Sequence, residues 1–364
     1  MATTSNHFIV ILCGGTGPRL WPLSSANQPK QFLQILSQKT LLEQTIYRAK
    51  KIVPAKNVFI VSNQRYKNKI ENILSRQIPQ DNFIYEPSKK NTTTAILLAI
   101  SHIQRINPQA VITTTPSDHF IPKVIPFKKT LKKAAALACG HHQILTIGIK
   151  PSFPNTSYGY IVPQVKNENF SRVNLFIEKP DKDTAQNLIK KGAFWNSGIY
   201  TFTITDMLSE FEKLQPDFYS IYQQFTTSDL NNSKKIISIY KKSPELPIDR
   251  SISEKSDKMS VIPAKFDWSD VGEWRAIKSK SPSDKEGHSI ISPQTEYISY
   301  NSKNCLINGP KGRLIGLVGV ENLAIIDTPD GLLICSLDQS HHVRDLVSLM
   351  VKHKKYKNYF LKKQ

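Results

Sequence analysis

Three glycines in four residues, Gly14-Gly15-Thr16-Gly17, follow directly on an unbroken apolar run, Phe8-Ile-Val-Ile-Leu-Cys13. Backbone of that kind can adopt positive φ and let a ligand come close. Its N–H groups are suited to cradling an anion. Arg19 and Lys30 come next, a forked donor that matches phosphate and a point charge. The spacing rules out two familiar phosphate loops. Gly17 leads into Pro18-Arg19 rather than the Gly-Lys-Ser/Thr of a Walker A loop, and Leu20 stands where a dinucleotide fingerprint needs its third glycine.

Further along, Asp118 in Pro116-Ser117-Asp118-His119 and Asp270 in Trp268-Ser269-Asp270-Val271-Gly272 are two carboxylates from distant segments. Such a pair suits a divalent cation that takes few protein ligands and several phosphate oxygens; each also reads as an ordinary capped or packed turn. Glu178-Lys179-Pro180 closes a strand with an acid that can accept from sugar hydroxyls and a cation for a second phosphate, or else with an exposed ion pair. Asn196, in Trp195-Asn196-Ser197-Gly198, carries both donor and acceptor and can read a hydroxyl or simply shape a turn. No His or Cys nucleophile constellation is evident.

The elements that must position these groups alternate. Buried strands are expected at residues 8–13, 58–61, 83–85, 111–115 and 144–148, and helices at 41–51, 66–74, 91–100 and 127–138. Strands separated by helices of this length predict an α/β fold, a Rossmann-like, mixed but mostly parallel sheet flanked by helices. Ligands of such sheets bind beyond the carboxyl ends of the strands, where the glycine loop and Asp118 fall. Strands at 158–162, 173–177 and 199–202 and helices at 206–214 and 218–225 follow, with a solvated helix and loop over 228–244. The polar run 280–290 marks a boundary between a large domain, 1–284, and a small β-rich domain, 285–364, ending in a helix near 343–351. A left-handed β-helix is compatible with its short strands at 305–307, 313–318, 323–326 and 332–335, although no repeat can be counted.

With 49 Lys+Arg against 29 Asp+Glu, a net +20, the chain favours acidic partners. Its cations are scattered, with a basic tail from Lys352 to Lys363, and no stacking aromatics interleave with them, so nothing points to nucleic acid. Cys13, Cys139, Cys305 and Cys335 stand far apart, the usage of a reducing compartment. No apolar run is long enough to span a bilayer, and MATTSNH lacks the order of a signal peptide. The expected location is the cytoplasm, with no membrane partner.

CGGTGPRLWPLS with QPKQF, EPSKKNTTTAI, PSDH, GIKPSFPNTSYGYI, FIEKP, FWNSGIYTF, PIDRSISEK and WSDVGEW run in family order from residue 8 to 277. Together they resemble the mannose-1-phosphate guanylyltransferases, or GDP-mannose pyrophosphorylases, and IDTPDGLLIC extends the likeness toward the C-terminus. The resemblance implies GTP and α-D-mannose 1-phosphate as substrates, GDP-mannose and diphosphate as products, and Mg²⁺ as cofactor. It assigns Gly14, Gly15, Thr16, Gly17 and Arg19 to the triphosphate and Lys30 to the reacting phosphates, with Arg19 and Lys30 as the catalytic pair. Asp118 and Asp270 would hold the metal. Glu86, Asn91, Thr92 and Ser117 would border the nucleotide, and Gly159, Glu178, Lys179 and Asn196 the sugar phosphate.

Three departures stand out. Pro18 replaces a small hydroxyl residue and removes one N–H from the cradle. Asn91-Thr92-Thr93-Thr94 replaces the family's Asn-Thr-Ala-Pro. The C-terminal isomerase domain carried by many relatives is not expected, nor its activity. The alternatives are a relative using another nucleoside triphosphate or hexose 1-phosphate, a non-catalytic nucleotide-sugar sensor, and a basic scaffold; the β-rich domain is available for a homodimer contact.

Overall fold

The computed structural model describes residues 6–165, 169–230 and 232–361. Met1 to Ser5 of the N-terminal stretch, and Lys362 and Lys363 of the basic tail, lie outside the described residues. The chain forms two compact units that interleave along the sequence. The first takes residues up to Gly14, Thr45–Ser117 and Ile121–Trp268; the second takes Gly15–Gln44, Asp118–Phe120 and everything from Ser269.

In the first unit, nine strands make one sheet: β1 His7–Cys13, β2 Val58–Asn63, β3 Phe83–Glu86, β4 Val111–Pro116, β5 Ile144–Ile149, β6 Tyr160–Pro163, β7 Ser171–Ile177, β8 Phe194–Thr203 and β9 Met259–Pro263. Their spatial order is β3-β2-β1-β4-β8-β5-β9-β7-β6. The half β3-β2-β1-β4 is parallel, with helices Leu41–Lys50, Lys67–Leu74 and Asn91–Ile106 lying between successive strands in sequence. Beyond it β8 runs antiparallel to both neighbours, so the whole sheet is mixed. The central strands read as continuous apolar runs because both faces are covered; β1 and β5 are buried along nearly their whole length. One core joins β1, β2 and β4 to Ile96, Leu97 and Ile100 of helix Asn91–Ile106 and to Phe211, Phe218 and Phe225.

Strand β9 and helix Lys182–Lys190 are elements that hydropathy alone did not mark. The stretch 228–244 differs from a purely solvated segment. Helix Ser233–Lys242 buries Ile236, Ile239 and Tyr240, whose three-to-four-residue spacing makes an apolar stripe under a lysine-rich face.

In the second unit, β10 Ser289–Ile290, β11 Glu296–Tyr300, β12 Leu306–Asn308, β13 Leu314–Val318, β14 Leu323–Thr328 and β15 Gly331–Ser336 form two small sheets. Parallel partners lie 17 residues apart at Ser289↔Leu306 and 18 apart at Leu306↔Ala324 and Glu296↔Leu314. That register is the coil of a β-helix, closed by the antiparallel strand β15. Helix Val343–Lys352 then turns back, and Val343 and Val347 share a core with Leu20, Trp21, Leu33 and Trp274. The segment after the glycines is thus held by residues more than three hundred positions later, Phe360 included: its carbonyl accepts from the Ala26 N–H at 2.9 Å.

Candidate active site

The glycine loop leaves the end of β1, and Ser117-Asp118 leaves the end of the adjacent parallel strand β4; Leu12 and Pro116 are in register. Gly14 and Gly15 face open space. Gly17 sits at φ 60 and caps a 3-10 turn, Pro18–Leu20, in which the Leu20 N–H donates to the Gly17 carbonyl at 3.1 Å. Pro18 occupies the first position of that turn, where an N–H has no partner within the turn. On the same turn the Arg19 Nε is buried without a hydrogen-bond partner among the described residues. A buried donor of that kind is costly unless an acceptor arrives.

Lys30 lies beneath this loop, 6% exposed. A Cβ on Gly17 would stand 2.5 Å from the Lys30 Cβ, so only glycine lets the two segments meet. The Lys30 ammonium lies 2.9 Å from Asp118 Oδ2 and donates to the Asp270 carbonyl. The two aspartate segments are clamped by a reciprocal pair of backbone bonds, Phe120 N–H to the Ser269 carbonyl at 2.8 Å and Ser269 N–H to the Phe120 carbonyl at 3.0 Å. Burial pushes the Asp118 carboxyl up, but Lys30 and then His119 outweigh it and hold the group below the usual carboxylate range. The Asp270 Oδ1 accepts from the Gly272 N–H at 3.2 Å, which folds the carboxylate onto its own turn. Among the described residues no three His, Cys, Asp or Glu side chains converge on one point. The acidic groups of this unit therefore fit a cation that completes its shell with ligand oxygens, as Mg²⁺ does with phosphates.

The expected sugar-side residues converge within the first unit. Gly159 precedes β6, and a Cβ there would stand 2.6 Å from Glu178 Oε2. Glu178 Oε1 receives Lys179 Nζ, an adjacent-residue ion pair with the lysine half exposed. Burial and then the nearby charge of Asp249 push the Glu178 carboxyl up, against the pull of Lys179. Asn196 is buried, and its amide is fully engaged. Its Oδ1 accepts from Thr146 Oγ1 at 2.9 Å and the Gly198 N–H at 3.1 Å, while Nδ2 donates to the Tyr200 hydroxyl at 2.9 Å and Asp249 Oδ1 at 2.8 Å. The motif PIDRSISEK carries Asp249, whose partners in the fold are Asn196 and Tyr200.

The residues expected on the nucleoside side are also in the first unit. Asn91 opens its helix at φ 64, a conformation that Asn tolerates better than most side chains. Thr92 Oγ1 accepts from the Ile248 N–H at 2.9 Å, Thr93 bonds Ser251 at 2.9 Å, and Thr94 bonds Ser243 at 2.6 Å. Thr93 and Thr94 are the departures among these, and Thr93 ties the helix to the turn bearing Asp249. Ser117 is buried, its N–H on the Leu12 carbonyl at 3.1 Å and its own carbonyl accepting from Thr45 Oγ1 at 3.1 Å.

Glu86, 7% exposed, accepts from the Tyr240 hydroxyl at 3.1 Å, and burial pushes its carboxyl up to about 7 despite that bond. The folded chain then holds a proton that the unfolded chain releases near 4.5, so stability falls as pH rises from there through about 7. Glu86→Gln keeps an acceptor for Tyr240 and removes the titration. It is expected to stabilise the protein by about 3 kcal/mol at about pH 8, a gain that shrinks toward zero below about pH 5. Denaturant unfolding at the two pH values measures it.

A nucleotidyl transferase family model matches residues 9–287, and a model described as the MannoseP isomerase/GMP-like beta-helix domain matches residues 295–350. The chain is 33% identical over 355 residues to mannose-1-phosphate guanylyltransferase 2 of Escherichia coli O157:H7, across 94% of this chain and 73% of that protein. The mannose-1-phosphate guanylyltransferase of Klebsiella pneumoniae is 33% identical over 358 residues, again across 94% of this chain and 73% of the relative. Among solved structures, a Thermus thermophilus protein described as a mannose-1-phosphate geranyltransferase superposes with a TM-score of 0.86 at 25% identity, over 94% of this chain and 99% of that one. The chain belongs to the nucleotidyl transferase family, on its mannose-1-phosphate guanylyltransferase branch.

Proposed function

We propose that this protein joins GTP and α-D-mannose 1-phosphate into GDP-mannose with release of diphosphate. The observation that carries the reading is the pairing of a buried Lys30 with Asp118 and the Asp270 turn under a glycine loop whose Arg19 Nε awaits an acceptor. An oxygen of the sugar phosphate attacks the α-phosphorus of GTP; the new P–O bond forms as the bond to diphosphate breaks. That oxygen is largely ionised at neutral pH, since the second phosphate pKa is about 6, so no general base is required. What the protein must supply is alignment and neutralisation of two polyanions.

In this reading Gly14, Gly15, Thr16, Gly17 and Arg19 grip the triphosphate and Lys30 follows the reacting phosphates. Glu86, Asn91, Thr92 and Ser117 border the nucleotide; Gly159, Glu178, Lys179 and Asn196 surround the sugar phosphate. Asp118 and Asp270 are the residues that would hold Mg²⁺, whose charge, when bound, offsets that of the phosphate oxygens. Diphosphate release measured with Mg²⁺ across four nucleoside triphosphates and several hexose 1-phosphates tests the assignment. GTP with mannose 1-phosphate is expected to give the highest kcat/KM; a different preferred pair, or no turnover with any, overturns it.

None of the four cysteines carries a disulfide, which supports a reducing compartment such as the cytoplasm. Among the described residues no helix is long and apolar enough to cross a membrane. For the partner we propose a second copy of the chain, through the open face of the β11–β13 pair, where Ile298, Tyr300, Leu314 and Val318 are all exposed. Sedimentation is expected to show a dimer that becomes monomeric on Leu314→Glu with Ile298→Lys.

A further inference from the structure

The amide of Asn196 has no hydrogen-bonding capacity left for a substrate. Both lone-pair directions of Oδ1 and both hydrogens of Nδ2 are committed to Thr146, Gly198, Tyr200 and Asp249. Two of those bonds end on the same carboxylate oxygen: Asp249 Oδ1 accepts from Asn196 at 2.8 Å and from the Tyr200 hydroxyl at 2.7 Å, and Ser253 Oγ braces that hydroxyl at 3.1 Å. Asp249 opens a π-helical turn, Asp249–Ser253, a rare geometry that recurs at functional sites. The turn is fastened from the other side by Thr92 and Thr93.

So much anchoring leaves one oxygen over. Asp249 is half-buried, and among the described residues both of its side-chain hydrogen bonds end on Oδ1 rather than Oδ2. Its charge is nonetheless felt at Glu178, whose other neighbours include Gly159, Lys179 and Glu254, which accepts the Glu178 N–H at 3.0 Å. We propose that Asp249 is the sugar-hydroxyl acceptor of this unit: Oδ2 takes a hydrogen bond from a ring hydroxyl of the hexose 1-phosphate, with Glu178 beside it, and Asn196 acts only by holding Asp249 in place. This rests on the reading above that the first unit receives the sugar phosphate. A carboxylate fixed through one oxygen discriminates by hydroxyl position, because a sugar lacking that hydroxyl leaves a half-buried charge without its donor.

Calorimetric binding of mannose 1-phosphate, glucose 1-phosphate and their monodeoxy analogues to the full-length protein and to Asp249→Asn tests this. Asparagine keeps the size and an acceptor for Asn196 and Tyr200. The wild type is expected to bind one monodeoxy analogue about 10- to 100-fold more weakly than its parent sugar. Asp249→Asn weakens the parent by a similar factor and no longer distinguishes it from that analogue. If Asp249→Asn fails to fold, Tyr200→Phe, which removes one anchor of the carboxylate, should show a smaller loss confined to the same hydroxyl. Unchanged binding, or equal weakening of parent and every analogue, overturns the proposal. Binding of glucose 1-phosphate in preference to mannose 1-phosphate instead overturns the substrate assignment, and the Asp249 comparison is then read on the glucose series.

Discussion

Lys30→Ala is expected to lower kcat for diphosphate release by about 10²–10³-fold or more, the usual cost of removing one preorganised charge-stabilising contact. Lys30 is almost wholly buried yet charged, and it sits between the Asp118 carboxylate and the Asp270 carbonyl. In the proposed reading, its removal takes a positive charge from the place where phosphate charge has to be neutralised. It also leaves Asp118, whose side chain is only 25% exposed, without its nearest counter-charge. Lys30→Arg is not a rescue: the guanidinium is longer and planar, and the Lys30 stem is already pressed against Gly17. Steady-state assays with GTP and mannose 1-phosphate measure the effect, and near-normal turnover in Lys30→Ala would refute the role given to this residue. Asp118→Ala should lose as much.

Gly17→Ala is expected to cost about 2–5 kcal/mol of stability and most of the activity, from two additive sources. The φ of 60 at this position is left-handed, where a Cβ costs about 1–2 kcal/mol. The same Cβ would overlap the Lys30 Cβ, a backbone-proximal atom that cannot swing aside, and overpacking of this kind costs about 1–3 kcal/mol. Gly15→Ala is the control, because a Cβ there meets nothing within 4 Å and the backbone is not left-handed. Its thermal midpoint should match the wild type while the KM for GTP rises, since the added methyl occupies space assigned to the triphosphate. A Gly15→Ala protein with unchanged KM would remove the loop from the nucleotide site.

Much of this molecule is legible in the chain. The run Phe8–Cys13 has the length and composition of a strand covered on both faces, and glycines directly after it place a loop at the strand's carboxyl end. The alternation that follows is local chemistry, because apolar period and turn residues act within a few positions of one another. Short elements escaped for the converse reason. Strand β9 is five residues long with a mixed composition, and the β-helix coils keep their 17–18-residue register through pairing rather than through a repeated residue. Motif matching named Lys30, Asp118, Asp270 and Glu178 from the sequence. What each touches is set by contacts 240 residues apart in the case of Lys30 and Asp270, and no local pattern encodes those.

Asn196 shows the limit most clearly. An exposed turn asparagine and one saturated by four internal bonds are the same letter in the sequence. Only packing that brings Asp249 across 53 residues and Tyr200 across four decides between them. The same holds for the glycine loop. Residue types alone placed a glycine loop suited to phosphate at the end of the first strand. Tertiary structure decided that the turn carrying Arg19 is backed by Val343, Val347 and Phe360, because the neighbouring sequence, rich in Pro, Ser and Gln, offers only a few apolar partners such as Leu33 and Ile35 for burying Leu20 and Trp21.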